Sequence, residues 1–265
     1  MTDIRHNALD FAVSAIPPIS LEEMDGVKLL NRVDTKYLTR EAVLLEVLAD
    51  AAASGYRALE TAGTKISTYN SVYFDTPGMK MFLDHRNRRL VRQKVRTREY
   101  LDSETAFLEI KRKNNHGRTK KKRIGIDPSE MMDFAEDRAA VDYLAGHSWF
   151  TAEEIHPVLS TAFRRITLVN PSRTERLTID TSLVFNNYQT RRKASLEDAV
   201  IIELKQDGHA ASRMKGILLD HRVKPVRMSK YCVAVTLTDP SARSGRFKTK
   251  VRTIEKIINK KIEVI

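Results

Sequence analysis

The segment VRQKVRTREY, residues 91–100, places Arg92, Lys94, Arg96 and Arg98 at alternate positions, with Val91, Gln93, Val95 and Thr97 between them. Side chains alternate faces along a strand, so one face of this strand is a ladder of cations. Neighbouring charges on it lie about 6.6 Å apart, and at an effective dielectric of about 20 each pair repels by roughly 2.5 kcal/mol. A solvated outer face would lower that cost. The chemistry that would use the ladder is anion binding, in which guanidinium groups fork onto phosphate oxygens and ammonium groups act as point charges.

Other segments repeat the design. In FLEIKRK (107–113), Leu108 and Ile110 oppose Glu109, Lys111 and Lys113. In TKKKRIGI (119–126), Lys121 and Arg123 oppose Ile124 and Ile126. In ERLTID (175–180), Leu177 and Ile179 oppose Arg176 and Asp180, and in VIIELKQ (200–206), Val200, Ile202 and Leu204 oppose Glu203 and Lys205. In residues 31–38, Arg32, Asp34 and Lys36 alternate with Val33, Thr35 and Tyr37. Strands of this kind make sense in an antiparallel closed β-barrel, with apolar faces turned out to covering helices and charged faces lining a wet interior.

Counting by segment locates the charge. Of the formal +12, residues 86–123 hold 15 Lys or Arg against 4 Asp or Glu, and residues 241–265 hold 8 against 2. Such a distribution implies a multiply charged anion: nucleic acid, an anionic membrane, or a phosphorylated small molecule or polymer. Nucleic acid is not expected, because the charged strands lack interleaved stacking aromatics. With 265 residues, 42% of them hydrophobic, the chain is neither collagen-like nor wholly disordered. The single Cys232 permits no internal disulfide and reads as a small core residue. No run approaches the roughly 20 apolar residues of a membrane helix. The N-terminus, with an acid inside its apolar run, does not read as a secretory signal, so a soluble, cytoplasmic protein is expected.

These strands need elements to position them. Helices are expected over 3–15, after the capping box at Ser20 to Glu23, over 40–53 behind Thr39, from Asp127-Pro128 to about 145, and near 211–221, 229–238 and 250–263. Strands are expected at about 32–38, 65–75, 88–100, 106–113, 118–126, 162–169, 175–182 and 199–206. The pattern is α+β: a helical N-terminal segment (1–30), a core domain (31–240) and a basic amphipathic C-terminal helix (241–265). In that last helix Val251, Ile254, Ile258, Ile262 and Ile265 share a face. It reads first as docked on its own domain, and otherwise as a surface for an anionic membrane or a partner protein. His85, His116, His147, His156, His209 and His221 lack metal-ligand spacing and read as surface or capping residues, while Trp149, Met131 and Met132 read as core.

Nine motifs in order carry a resemblance: DTKY (34–37), SVYFDT (71–76), KVRTREY (94–100), FLEIKRK (107–113), GRTKKKR (117–123), AFRRITL (162–168), ERLTID (175–180), VIIELK (200–205) and RMSKY (227–231). Over residues 30–238 the sequence resembles the polyphosphate polymerase domain of the vacuolar transporter chaperone (VTC) family, a branch of the triphosphate tunnel, or CYTH-like, superfamily. The resemblance implies a tunnel fold with helices outside, ATP and inorganic polyphosphate as partners, and Mn²⁺ or Mg²⁺ as cofactor. It further implies that Lys36, Arg96, Arg98, Lys111, Arg165, Arg176 and Lys230 act on the phosphates undergoing transfer. Lys113, Lys121, Arg123, Arg227 and Ser229 are implied as further phosphate contacts, and Glu203 as the metal ligand, with Glu109 a second candidate. Phe163 stands where relatives carry tyrosine, and Arg227 where lysine is familiar.

The implied reaction moves the γ-phosphoryl group of ATP onto a polyphosphate end. A tri- or polyphosphatase of the same fold is the rival reading, disfavoured because hydrolysis needs carboxylates to activate water and this face has few. A non-catalytic polyphosphate-binding module is the third.

Overall fold

The structure is a computed structural model that describes residues 2–25, 32–208 and 211–265. His209 and the expected boundary at residue 30 lie outside the described residues. The helices are α1 (Thr2–Ser14), α2 (Leu21–Asp25), α3 (Glu41–Ala53), α4 (Lys80–Arg86), α5 (Arg138–His147), α6 (Arg213–Asp220), α7 (Lys230–Thr238) and α8 (Gly245–Ile258). The long strands are β2 (Arg32–Arg40), β4 (Ile66–Asp75), β5 (Arg92–Tyr100), β6 (Thr105–Lys113), β7 (Thr119–Ile126), β8 (His156–Val169), β9 (Glu175–Asn187) and β11 (Ala199–Asp207). Short strands β1 (Pro18–Ile19), β3 (Arg57–Leu59) and β10 (Lys193–Leu196) attach at the side.

The long strands pair antiparallel in the order β2-β11-β9-β8-β4-β5-β6-β7. Lys111 on β6 and Glu203 on β11 are five strand spacings apart, about 24 Å in a flat sheet. Yet one short loop reaches both flanks, its Val226 N–H donating to the Lys36 carbonyl on β2 and its Ser229 Oγ accepting from Lys94 on β5, so the sheet curls back on itself. Full closure is corrected: among the described residues no ladder joins β2 to β7. The outer edge of β2 is taken instead by residues 225–226, where the Val226 N–H donates to the Lys36 carbonyl at 2.7 Å and Pro225 bridges Tyr37.

The apolar faces pack as alternation predicts. Leu177, Ile179, Val200, Ile202 and Leu204 meet α1, α3 and α6 through Leu9, Leu44, Val47, Leu48 and Leu218. Val72, Val95, Leu108 and Ile110 meet Met131, Phe134 and Leu144. A further cluster lies on the concave side, where Tyr73, Phe163, Phe185 and Ile201 pack against α7 and, beyond it, Phe82, Phe247 and Ile254. The α7 sequence KYCVAVTLT is apolar nearly all round, as befits a helix buried against a sheet. One end of the concave face is therefore apolar and covered by α7, and only the other end is charged.

Several local expectations need correction. Thr39 lies in β2, and α3 starts after Arg40 with no side-chain cap. Asp127 does form a capping box, but it opens only a 3-10 turn over Pro128–Met131. Asp133 and Asp137 then cap local N–H groups, and the helix proper begins after Asp137. The strand expected from 88 begins at 92, behind the unforeseen α4 and a left-handed turn at Arg88. The C-terminal helix spans 245–258 and ends at a left-handed Asn259, so Ile265 leaves its face and is exposed. Phe247 and Ile254 are buried, which docks α8 on its own domain. Trp149 is 41% exposed, with the Arg112 guanidinium 4.8 Å from its ring, and Met132 is likewise at the surface. No helix among the described residues is long and apolar enough to cross a membrane.

Candidate functional site

Strand register sets the charges of the concave face beside one another. Lys94, Lys111 and Lys121 form one row across β5, β6 and β7, and Arg96, Glu109 and Arg123 form the next. Across β2, β11 and β9, Lys36 faces Glu203, and Lys205 lies between Asp34 and Arg176. Arg165 on β8 faces Asp180 on β9. Like charges directly opposite in a sheet are destabilising, so each row needs a counter-ion.

Three carboxylates supply part of it. Glu109 is fully buried, and its Oε2 accepts from Arg96 Nε at 2.8 Å and Nη2 at 2.5 Å, with Lys121 paired to the other oxygen. Burial alone would raise its pKa, but Arg96, Arg98 and Lys121 hold it well below the usual carboxylate range. Asp180 takes a fork from Arg165, Nε at 2.5 Å and Nη2 at 2.8 Å, and also accepts from Lys230. Burial opposes its ionisation as well, and Arg165 and Lys230 overrule it. Glu203 accepts from Lys36 at 2.5 Å and lies 3.8 Å from Lys205. Against the cost of burial, Lys205 and Lys36 bring it down to about 2.

The remaining cations are less well matched. Arg98 is 6% exposed; its Nε donates to Ser71 Oγ at 2.9 Å and its guanidinium lies over Tyr69 and Phe163, with no carboxylate in ion-pair range among the described residues. Burial, Arg96 and Arg165 push it down to about 10, and it stays charged at neutral pH. The charge of Arg96 and then burial push Lys111 well below the usual lysine value, and no carboxylate pairs with it among the described residues. Burial lowers Lys94, whose Nζ donates to Ser229 Oγ at 2.8 Å. Burial also brings Lys205 down to about 8. Ser229 is the N-cap of α7, its Oγ accepting from the Cys232 N–H, so the positive end of that helix faces the cations.

Most residues named from sequence thus meet on this face: Lys36, Arg96, Arg98, Lys111, Lys121, Arg165, Arg176, Glu109, Glu203, Ser229 and Lys230. Lys113 lies at the end of β6 opposite Arg92, Arg123 stacks over Phe107 at 4.5 Å, and Arg227 is exposed on the loop before α7. Lys94, Lys205 and Asp180 also belong to the site, and their strand parity already carried that signal. His85 is not a surface histidine but partly buried: burial and the charges of Lys94, Arg92 and Lys113 push its pKa down to about 2.

A metal at Glu203 must fit these surroundings. Among the described residues no three His, Cys, Asp or Glu side chains converge on one point, and Glu203 already pairs with two lysines. That donor set does not hold an ion by protein groups alone. It fits an ion that arrives on phosphate oxygens and adds one carboxylate, the usual habit of Mg²⁺.

A curled antiparallel sheet with a cationic concave face, closed at one end by a helix whose N-terminus points at the cations, has the fold expected of the triphosphate tunnel class. The VTC domain family matches residues 31–238, more than three quarters of the sequence, and the chain belongs to that family. No curated protein matches it. Among solved structures it is similar to a candidate adenylate cyclase of Bacillus halodurans, with a TM-score of 0.50 and 13% identity over 76% of this chain and 96% of that one, a likeness of fold alone. A candidate adenylyl cyclase from Hippeastrum, described as having a dominant triphosphatase activity, aligns with a TM-score of 0.46 and 15% identity over 77% of this chain and 95% of that one.

Proposed function

We propose that this chain is a polyphosphate polymerase-like phosphotransferase, moving the γ-phosphoryl group of ATP onto a polyphosphate end held along the concave face. The observation that carries this reading is the row Lys94, Lys111 and Lys121 beside Arg98: cations, the first two half-buried and Arg98 buried, in excess of the carboxylates available to them. A chain of phosphates would supply the missing charge at several heights. Family membership supports the same substrate class.

Phosphoryl transfer asks little covalent chemistry of a protein; it requires in-line positioning and charge stabilisation on the moving group. Arg96, Arg98 and Arg165 are immobilised by forks, hydrogen bonds and aromatic rings, so they hold phosphates without reorganising. Ser229 and Lys230 would anchor a phosphate at the start of α7. Glu203 would hold a divalent ion carried in on the nucleotide, and that ion would neutralise charge on the phosphoryl oxygens. A terminal phosphate is already largely ionised at neutral pH, so no general base is obligatory. On this face Glu109, Asp180 and Glu203 are committed to cations and ill-placed to activate water, which favours transfer over hydrolysis.

Purified protein given ATP and Mn²⁺ is expected to make a ladder of polyphosphate chain lengths, with ADP in step. Free phosphate without polymer would make it a hydrolase; neither product would leave a binding module.

A further inference from the structure

The concave face contains a hydroxyl that none of these roles uses. Tyr73 projects from β4 and is 6% exposed. Its Oη accepts a hydrogen bond from Arg96 Nη1 at 3.3 Å, and no acceptor for its own proton is found among the described residues. The ring cannot swing away to find one: it stacks on Tyr231 at 5.0 Å, and the Tyr231 hydroxyl is itself fixed on Asp75 at 2.6 Å. Lys94, Arg96 and Arg98 face Tyr73 from β5, and Lys230 faces it from α7. The nearest carboxylates, Glu109 and Asp180, are turned to Arg96 and to Arg165 with Lys230 respectively. The β8 residue in register with Tyr73 is Leu159, which brings no charge. An unspent donor in a nest of four cations is complementary to one group, an anionic oxygen that takes its proton while the cations hold the charge.

We infer that Tyr73 is a further phosphate-binding residue of this site, donating its hydroxyl proton to a phosphate oxygen held between Arg96, Lys94 and Lys230. The inference rests on the concave face binding a phosphate chain, but not on the direction of the reaction. It has a consequence for pH. Burial would raise the tyrosine, yet Arg96, Arg98 and Lys94 overcome it and bring it down to about 8. An ionised Tyr73 cannot donate and repels the phosphate, so its contribution to affinity is present below that value and turns unfavourable above it.

Inorganic triphosphate is the probe, with dissociation constants measured by calorimetry on the wild type and on Tyr73→Phe from about pH 7 to about pH 10. Phenylalanine keeps the stack on Tyr231. At neutral pH the variant should bind about tenfold more weakly, the loss of one hydrogen bond to a charged acceptor. As pH rises the difference should vanish and reverse, because only the wild type acquires the tyrosinate. Titration of the tunnel lysines is common to both proteins and cancels in the ratio. In the wild type itself, the ultraviolet absorbance of tyrosinate at about pH 9 should fall when triphosphate is added. A ratio that does not change with pH, or equal affinities at neutral pH, overturns the inference, and so does failure of triphosphate to bind at all. A reversing ratio in a protein that makes no polymer would leave this contact standing and sink the polymerase reading. Polymer synthesis with a constant ratio would do the opposite.

Discussion

Replacing Glu109 by glutamine tests the charge balance of the site directly. The side chain keeps its size and one acceptor, but Arg96 and Lys121 lose their counter-ion in a place where Glu109 has no exposure and Arg96 little. Breaking one side of a buried ion pair costs about 3–5 kcal/mol. Glutamine can still accept from Arg96, so the lower end, about 3 kcal/mol, is the expectation. For a chain of this size each kcal/mol moves Tm by about 2 °C or more, which predicts a fall of roughly 6 °C in a thermal scan at neutral pH. The folded carboxyl is depressed below its usual value. Its contribution is therefore complete above the unfolded pKa, near 4.3, and is lost as pH falls through the folded value. The gap between the two proteins should accordingly shrink in acid. Saturating triphosphate should also shrink it, because a bound polyanion replaces the missing charge and meets one fewer carboxylate. At about 100 times its dissociation constant the ligand stabilises either protein by about 2.7 kcal/mol, and tighter binding to the variant adds to that. A variant as stable as the wild type, or a gap that triphosphate leaves untouched, would refute the claim that this face is short of negative charge.

Two further substitutions probe other parts of the site. Glu203→Ala should remove the metal requirement together with turnover, while triphosphate binding in metal-free buffer persists or tightens as Lys36 and Lys205 are released; a metal titration of activity and calorimetry would check both. Ser229→Ala removes the α7 N-cap and the partner of Lys94, and should cost about 1 kcal/mol in denaturant unfolding as well as weakening triphosphate binding.

Much of this site was legible because strand parity is a two-fold code. Arg96, Arg98, Glu109, Lys111, Arg176 and Glu203 fall on one face whatever the register. Which cation meets which carboxylate was not legible, because pairing depends on register. The β8–β9 hairpin sets Arg165 against Asp180, and the ladder then shifts between Ala162 and Arg164, so the pairs beyond it follow a different register. Tyr73 falls in the strand expected over 65–75 and has no signal of its own in the sequence; β5 and α7 surround it with cations only in the fold. The covering of the concave face by α7 also escaped, since the apolar sequence of α7 shows that the helix is buried but not which face of the sheet receives it. Short α4 has no period long enough to read, and Asp127 signalled a helix start that the next two aspartates interrupted. Closure of the barrel follows in sequence from the alternation of apolar and charged faces, but hydrogen bonding at the seam depends on residues 225–226, which carry no strand pattern.

That seam leaves the sheet with two unlike borders. Along β2 the outer border is masked by the chain itself, through Pro225 and Val226. Along β7 no further strand pairs among the described residues, yet Lys120, Lys121, Lys122 and Arg123 stand there in succession and are all exposed. A second copy trying to extend the sheet at β7 would set lysine against lysine, and like charges facing across a ladder oppose pairing. Cations on both faces of β7 thus oppose growth of an open sheet into an aggregate.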